Sequence, residues 1–187
     1  MRLFVALDLP DELRSACVRQ AEALQDPFQQ RDIDVRWSTP DTYHLTIRFI
    51  GEASDTEADA YREALASVDA SAAQIEPFGL GVLPSRLSPR VVMCGSEQTR
   101  SLSALYAEVS EALEDAGLDE ADNAFRPHVT IGRIRDAEPE AVHHALREAP
   151  SVHLPAVTVR GLTLYRSLRG PDGARHEVVE TFPLATD

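Results

Sequence analysis

The feature of this sequence that most limits its possible folds is an internal repeat. The tetrad His44-Leu45-Thr46-Ile47 recurs as His128-Val129-Thr130-Ile131, and a turn and a helix-like segment follow each copy. The same elements also precede each tetrad in the same order: a strand-like run, a periodic apolar run and an extended stretch. Self-similarity of this kind indicates two copies of one supersecondary unit. We therefore predict a duplicated fold.

Apolar spacing and β-branched content predict the elements of each copy. Apolar residues recur at three- and four-residue steps from Leu102 to Leu113, as in an amphipathic helix, and Gly117 is suited to end it. The predicted helices are 11–25, 54–68, 99–116 and 138–149. Alternating and β-branched runs predict strands. The predicted strands are 2–7, 35–37, 45–50, 90–93, 129–134, 157–164 and 177–182.

These elements predict an α+β fold in which mainly antiparallel sheets face a central cleft and the helices lie outside. We expect residues 1–187 to form one domain of two pseudo-repeats, about 1–88 and 89–187. A cleft between two related lobes is a natural ligand site. Because both lobes belong to one chain, we also expect a monomer.

The tetrads place polar side chains on one face of each strand, because side chains alternate along a strand. His44 and Thr46 share a face, and strict alternation would add Arg48 to it and turn Phe49 towards the core. His128 and Thr130 share a face in the second copy. The cleft is therefore predicted to hold two imidazoles and two hydroxyls in a symmetric array.

Such an array suits in-line displacement at phosphorus. One imidazole can take the proton of the attacking water while the other protonates the leaving oxygen on the opposite side. Histidine is suited to both tasks because its ordinary pKa of about 6.5 lies near neutrality. The two hydroxyls can donate hydrogen bonds to phosphate oxygens. This chemistry needs neither a metal nor a cofactor.

The charge of the chain restricts its partners. All 18 basic residues are Arg, and the formal net charge is −13. Binding to duplex DNA needs a basic footprint, so a nucleic acid partner is expected to be a short piece or an end. Residues 1–10 have neither the basic start nor the apolar length of a signal peptide, which favours a cytoplasmic protein without membrane association. Cys17 and Cys94 are expected to be small buried thiols.

These residues resemble a known family over essentially the whole chain. The matching segments are 2–7, 36–37, 43–52, 89–92, 125–133, 164–167 and 182–184. The family is the 2H phosphoesterases, and within it the sequence is similar to the bacterial and archaeal RNA 2′,3′-cyclic phosphodiesterases, also called 2′-5′ RNA ligases. The paired His-x-Thr tetrads within this pattern are the most specific part of the resemblance.

The resemblance implies hydrolysis of a 2′,3′-cyclic phosphate to a 2′-phosphomonoester. It implies that His44 is the proton donor, that His128 is the proton acceptor, and that Thr46 and Thr130 hold the phosphate. It also implies a weak, reversible joining of 2′-5′ RNA linkages, with a ribose hydroxyl in place of water. This sequence departs from the pattern at His176, where an aromatic residue is expected.

Further residues are candidates for substrate contacts. Arginine recognises phosphate in a bidentate manner, and aromatic rings stack on nucleobases. The predicted substrate-binding residues are Arg126, Arg133, Arg48 and Trp37, with Arg90 and Arg169 as weaker candidates. A surface ion pair is the competing interpretation for each of these arginines.

From the sequence alone there are three alternatives to a two-histidine enzyme. A binding module could keep this fold and recognise RNA ends or nucleotides without turnover, although both tetrads are intact here. A metal site would need a third ligand beside His44 and His128, where the tetrads supply threonine instead. A purely structural protein would need a large exposed apolar patch, which no segment demands.

Overall fold

The computed structural model describes residues 1–121, 124–170 and 173–185, and its helices agree with the predicted ones. They are α1 (Asp11–Gln29), α2 (Asp55–Ala66), α3 (Arg100–Asp115) and α4 (Pro139–Glu148). The end of α3 follows the prediction closely: Gly117 has a φ of 99°, and the amide of Leu118 donates to the carbonyl of Leu113 at 3.0 Å. Within the described ranges, no helix is long and apolar enough to cross a membrane.

The strands also follow the prediction, with two differences. They are β1 (Arg2–Asp8), β2 (Asp34–Trp37), β3 (His44–Glu52), β4 (Ala73–Ile75), β5 (Pro77–Ser85), β6 (Ser88–Ser96), β7 (His128–Asp136), β8 (Val157–Val159), β9 (Gly161–Gly170) and β10 (Gly173–Pro183). The predicted strand 157–164 is divided at residue 160, because β8 pairs with β4 while β9 pairs with β1. Neither β4 nor β5 was predicted; β5 contains two glycines and two prolines, which weaken a strand pattern.

The sheet is built from two lobes that meet along the tetrads. In the described residues, eight strands form one sheet with the order β10-β9-β1-β3-β7-β6-β5, and β2 adds to β7. The first lobe consists of β10, β9, β1 and β3, and the second lobe of β7, β6, β5 and β2. Between the lobes, β3 and β7 are paired at Leu45 and Val129. Elsewhere the two strands diverge, which opens the cleft. This arrangement confirms the α+β prediction.

The two halves of the chain exchange elements between the lobes. The C-terminal strands β9 and β10 lie beside β1, whereas β2 from the first half pairs with β7. The helices cross as well: α1 contacts β2, β7 and α4, and α3 contacts β3, β4 and α2. The predicted division near residue 88 therefore does not coincide with the division in space, because each half contributes to both lobes.

One apolar core lies between the sheet and the helices. The apolar face of α3 is fully buried there, and so are Leu45 and Ile131 from the two tetrads. Cys17 and Cys94 are buried as free thiols, which agrees with the prediction. Because the apolar tetrad positions are fixed in this core, the polar positions of the same strands must face the cleft.

Candidate active site

The Leu45–Val129 pair brings the two tetrads together in antiparallel orientation. In an antiparallel pair, the residue that follows Leu45 lies opposite the residue that precedes Val129, and the residue that precedes Leu45 lies opposite the one that follows Val129. Thr46 is thus directed towards His128, and His44 towards Thr130. All four side chains are half-buried. The structure therefore places the four predicted catalytic residues around one point.

Both imidazoles are held by the same local contact. His44 Nδ1 lies 2.8 Å from the carbonyl oxygen of Thr42, and His128 Nδ1 lies 2.6 Å from that of Arg126. A carbonyl can only accept, so each Nδ1 carries the proton and each Nε2 is left to exchange a proton with a ligand. The repeated contact, two residues upstream in each copy, orients both rings for acid–base chemistry.

The surroundings keep both rings neutral in the free site. Burial lowers the pKa of His44 to about 4, with a further contribution from the nearby His176 and opposing effects of the Thr42 carbonyl and Asp8. Burial also lowers the pKa of His128, and the positive charge of Arg133 adds to this effect. A bound anion would reverse the balance, because it stabilises the protonated form of a neighbouring ring.

A β-bulge at the last residue of each tetrad alters the expected alternation. In the first lobe Ala6 pairs with Thr46 and Val5 with Arg48, so Ile47 has no partner opposite it. In the second lobe the register shifts in the same way between Met93–Thr130 and Val92–Gly132. A bulge inserts one residue and turns the following side chains over. Positions after the bulge therefore point opposite to what strict alternation predicts.

For this reason Arg48 does not share the open face of His44 and Thr46 that strict alternation predicts, although it lines the cleft. Arg48 is 6% exposed on the helix side of the sheet. Its Nη2 donates to the Glu114 carboxylate at 3.2 Å and to the Asp119 carbonyl. The predicted burial of Phe49 is also wrong, since Phe49 is 67% exposed and its ring lies 6.2 Å from that of Phe4. The bulge thus turns Arg48 inward, where protein groups hold its guanidinium, and turns Phe49 outward, while both residues line the cleft.

Trp37 also differs from its predicted role. Its ring packs on Phe28 of α1, with a centroid distance of 5.3 Å, and it covers Gly132 on the helix side of β7. A Cβ atom at Gly132 would approach this ring to 3.0 Å, so the tryptophan fills the space that glycine leaves. Trp37 therefore packs on the helix side of the sheet, a position that does not support the predicted substrate contact.

The remaining arginines occupy different positions. Arg133 follows the second bulge, is exposed, and lies close enough to act on both His128 and His176. Arg126 is exposed at the entrance of β7, where its Nη1 donates to the Pro84 carbonyl at 3.1 Å. Arg90 is exposed near the start of β6, and the side chain of Arg169 lies outside the described residues.

An aromatic cluster beside His44 was not predicted as part of the site. Phe4 is 3% exposed, and its ring lies 4.9 Å from His44 and 5.2 Å from Tyr165, on which it stacks. The Tyr165 hydroxyl donates to Asp8, which also accepts from Thr163 at 2.8 Å. His176 completes the cluster. The sequence pointed to His176 only as a departure from the family pattern, and Asp8 ends the strand that pairs with the first tetrad.

A cleft of about 750 Å³ extends from the tetrads between the diverging strands. Thr46 and His128 lie at its tetrad end, followed by Phe49 and Arg126, and the stacked rings of Tyr106 and Phe125 lie farther along. Its walls thus combine the His128 imidazole, two arginines (Arg48 and Arg126) and aromatic surface. Such a combination suits a phosphorylated ligand with a flat ring.

The donor atoms that the tetrads supply are imidazole nitrogens and threonine hydroxyls. In the part of the chain that the structure describes, no group of three His, Cys, Asp or Glu side chains could hold a metal ion. His44 and His128 have threonine hydroxyls as their nearest polar neighbours from the tetrads. A metal-ligating pair of histidines would be joined by a third strong ligand.

Comparison with known proteins agrees with this geometry. A family model described as the 2′-5′ RNA ligase superfamily matches residues 8–171. An RNA 2′,3′-cyclic phosphodiesterase from Thermus thermophilus is 32% identical, over 98% of this chain and 90% of that protein. The crystal structure of a Thermus thermophilus protein superposes with a TM-score of 0.82 at 26% identity, covering 98% of both chains. Escherichia coli LigT complexed with 3′-AMP gives 0.74 at 26% identity, covering 98% and 97%.

With the family match over most of its length, the same fold, and both tetrads in place, the chain belongs to the 2′-5′ RNA ligase superfamily.

Proposed function

We propose that this protein hydrolyses 2′,3′-cyclic phosphate ends of RNA to 2′-phosphomonoesters. The observation that carries the proposal is the pair of imidazoles held alike, Nδ1 to a carbonyl, on two strands that meet at one residue pair. The Thermus relative named RNA 2′,3′-cyclic phosphodiesterase supports the choice of substrate. The complex of LigT with 3′-AMP supports a nucleotide phosphate in this cleft.

In the proposed reaction the two rings act on opposite sides of the phosphorus. His128 Nε2 takes a proton from water as the water oxygen bonds to phosphorus. The bond from phosphorus to the 3′ oxygen breaks, and His44 Nε2 gives its proton to that oxygen, which leaves a 2′-phosphate. A donor with a low pKa is a strong acid once it is protonated, which suits His44.

The substrate itself supplies the charge that the site needs. Thr46 and Thr130 would donate to the non-bridging oxygens, and Arg133 would balance their negative charge. The phosphate anion raises the pKa of His44 towards neutrality, so protonation of the acid is coupled to binding. The free site, with both rings neutral, thereby becomes active when an anion occupies it.

The acidic character of the chain favours short substrates or chain ends. A net charge of −13 repels long polyanions, and duplex DNA is not an expected partner. The proposal includes a monomer in the cytoplasm, with no metal or organic cofactor. A ribose 5′-hydroxyl in the place of water would give a 2′-5′ linkage by the same proton transfers, so weak ligation is part of the proposal.

The test is hydrolysis of a short RNA with a 2′,3′-cyclic phosphate end in the presence of EDTA. We expect turnover, because both proton transfers use side chains of the protein. The product should be a 2′-phosphate alone, identified by phosphorus NMR and by comparison with 2′- and 3′-phosphate standards. A second RNA with a 5′-hydroxyl, added in excess, would report ligation as a longer product.

Other outcomes would contradict specific parts of the proposal. Binding of the RNA without turnover over a range of salt concentrations would favour the binding module. Turnover that EDTA abolishes and added divalent metal restores would favour a metal site. A 3′-phosphate product would mean that the 2′ oxygen leaves instead of the 3′ oxygen, and that the substrate lies in the opposite orientation between the two rings.

Replacing Arg133 with glutamine should lower kcat/KM by roughly 10- to 100-fold, the loss expected for one charge-assisted hydrogen bond of about 1.5–3 kcal/mol. Arg133 also lowers the pKa of His128. Removing this charge should raise the pKa of His128. The acid limb of the kcat/KM profile, which reports protonation of His128, should therefore move to higher pH in the variant. Measurement of kcat/KM against pH tests both effects.

Arg135→Gln is the matched control, because Arg135 is 62% exposed two residues farther along β7 and lies 3.9 Å from Asp34. It should leave the rate and the profile unchanged. Equal losses in the two variants would mean that Arg133 contributes only general charge.

A further inference from the structure

A third imidazole lies beside the proposed proton donor. His176, on β10, contacts the His44 ring edge-on with a centroid distance of 5.2 Å and an interplanar angle of 87°. It meets the Phe4 ring in the same way, at 4.9 Å and 78°, and lies 6.3 Å from Tyr165. Any aromatic side chain could make these edge contacts, but an imidazole can in addition bind a proton.

One ring nitrogen of His176, Nδ1, is buried in the protein. This atom is inaccessible to solvent and makes no hydrogen bond of normal geometry in the described residues, with only a poorly placed contact to the Arg175 backbone, although the ring as a whole is half-buried. A buried polar atom without a partner costs free energy. A phenylalanine would make the same edge contacts without that cost, which points to a role for the ionisable ring rather than for packing alone.

The charges around His176 link it to both halves of the site. The titratable and charged groups that face it, each from a different element, are His44 on β3, Tyr165 on β9, Arg133 on β7 and Asp41 in the short turn before β3. Phe4 on β1 is its apolar neighbour. Two of these groups, His44 and Arg133, belong to the proposed catalytic and phosphate-binding sets.

Resting on the proposed function, we propose that His176 is a positioning residue for the general acid: its ring fixes the orientation of His44, and its own protonation competes with that of His44. Two imidazolium rings about 5 Å apart repel each other. When the substrate anion binds, it can stabilise a proton on either His44 or His176. A proton on His176 disfavours one on His44, so His176 limits the range of pH over which His44 is protonated.

The directions of the pKa shifts agree with this competition. Burial and Arg133 lower the pKa of His176, while Asp41 and the Arg175 backbone oppose them. The effect of His176 on His44 is likewise to lower the pKa, second only to burial. Removing the ionisable ring should therefore make His44 easier to protonate.

The experiment compares the wild type with His176→Phe, which keeps an aromatic edge but cannot bind a proton. NMR titration of the histidine rings, with His44 assigned from a His44→Gln variant, measures the coupling in the absence of any reaction. We expect the His44 midpoint to rise in His176→Phe by roughly half a pH unit or more, the value for two unit charges about 5 Å apart in water. The alkaline limb of kcat should move upward as well, since it reports loss of the acid's proton in the enzyme–substrate complex.

Two further variants separate charge from packing. His176→Leu should show the same rise in the His44 midpoint and a lower kcat at every pH, because it also removes the edge contact. His153→Gln, at an exposed histidine outside the site, should change neither quantity. An unchanged His44 midpoint in His176→Phe would overturn the inference. Because this titration needs no substrate, it is decided independently of whether the protein turns over a cyclic phosphate.

Discussion

Alanine at either tetrad histidine is expected to lower kcat by roughly 10²–10⁴-fold, the contribution of one well-placed general acid or base. The loss is large because each ring performs one of two proton transfers that occur in the same displacement. His44→Ala should lose the alkaline limb of the pH profile and His128→Ala the acid limb. The kcat of the double variant should be only slightly lower than that of the less active single variant, since the effects of residues that act as a unit are not additive. Single-turnover rates on the cyclic substrate, measured against pH, test all three.

His144→Ala is the control, because His144 is on α4, at the surface opposite to the cleft face of the sheet. It should retain the wild-type rate. A single variant that keeps more than about one tenth of the wild-type kcat would contradict a direct role for that ring, given the usual size of such effects. Identical pH profiles for the two single variants would contradict the division into acid and base.

Arg48→Ala should reduce the free energy of unfolding by about 1.5–3 kcal/mol, the usual value for hydrogen bonds to a charged group. Arg48 is buried, and its guanidinium joins the last turn of α3, through Glu114, to the segment after it, through the Asp119 carbonyl. Truncation leaves both acceptors without this donor. Urea unfolding followed by circular dichroism measures the loss.

Arg62→Ala provides the comparison for Arg48. Arg62 pairs with Asp59 and Glu180 on the surface, where an ion pair contributes little. The folded Arg48→Ala protein should keep the KM of the wild type. If KM rises while stability is unchanged, Arg48 contacts substrate after all, and the inward orientation given by the bulge is contradicted.

The sequence was sufficient to predict the tetrads because the repeat compares the chain with itself. A single His-x-Thr motif in a strand predicts little about function. His44 and His128, however, occupy equivalent positions in two copies of one repeat. The apolar residues between them alternate as in any half-buried strand. Fold class, helix positions and the four catalytic candidates follow from these local patterns.

The side chains after the tetrads could not be predicted from alternation. A bulge depends on how many residues the partner strand supplies, and the partners, β1 and β6, lie far away in sequence. Arg48 and Phe49 therefore exchanged their predicted faces. The repeat did contain a hint, since Gly132 and Arg133 occupy the corresponding positions in the second copy, and a glycine after the tetrad is a poor candidate for a ligand contact.

The contacts of His176 and Tyr165 depend on tertiary structure alone. Both residues lie on C-terminal strands that join the first lobe only because β9 pairs with β1. Nothing in the spacing of the second copy indicates that its last strands would cross to the first. For the same reason, Trp37 appeared to belong to the first tetrad, whereas its strand pairs with the second.

The exchange of helices and strands between the lobes limits how the cleft can open. A hinge between two bodies needs a boundary that few contacts cross, but here α1 follows β1 of the first lobe and packs under the second, and α3 follows β6 of the second lobe and packs under the first. One apolar core continues beneath both lobes, and moving them apart would divide it. The separation of the two imidazoles is thus maintained by the whole core, and a ligand must fit a slot of fixed width. A slot of this kind admits the free terminus of a strand more readily than its middle.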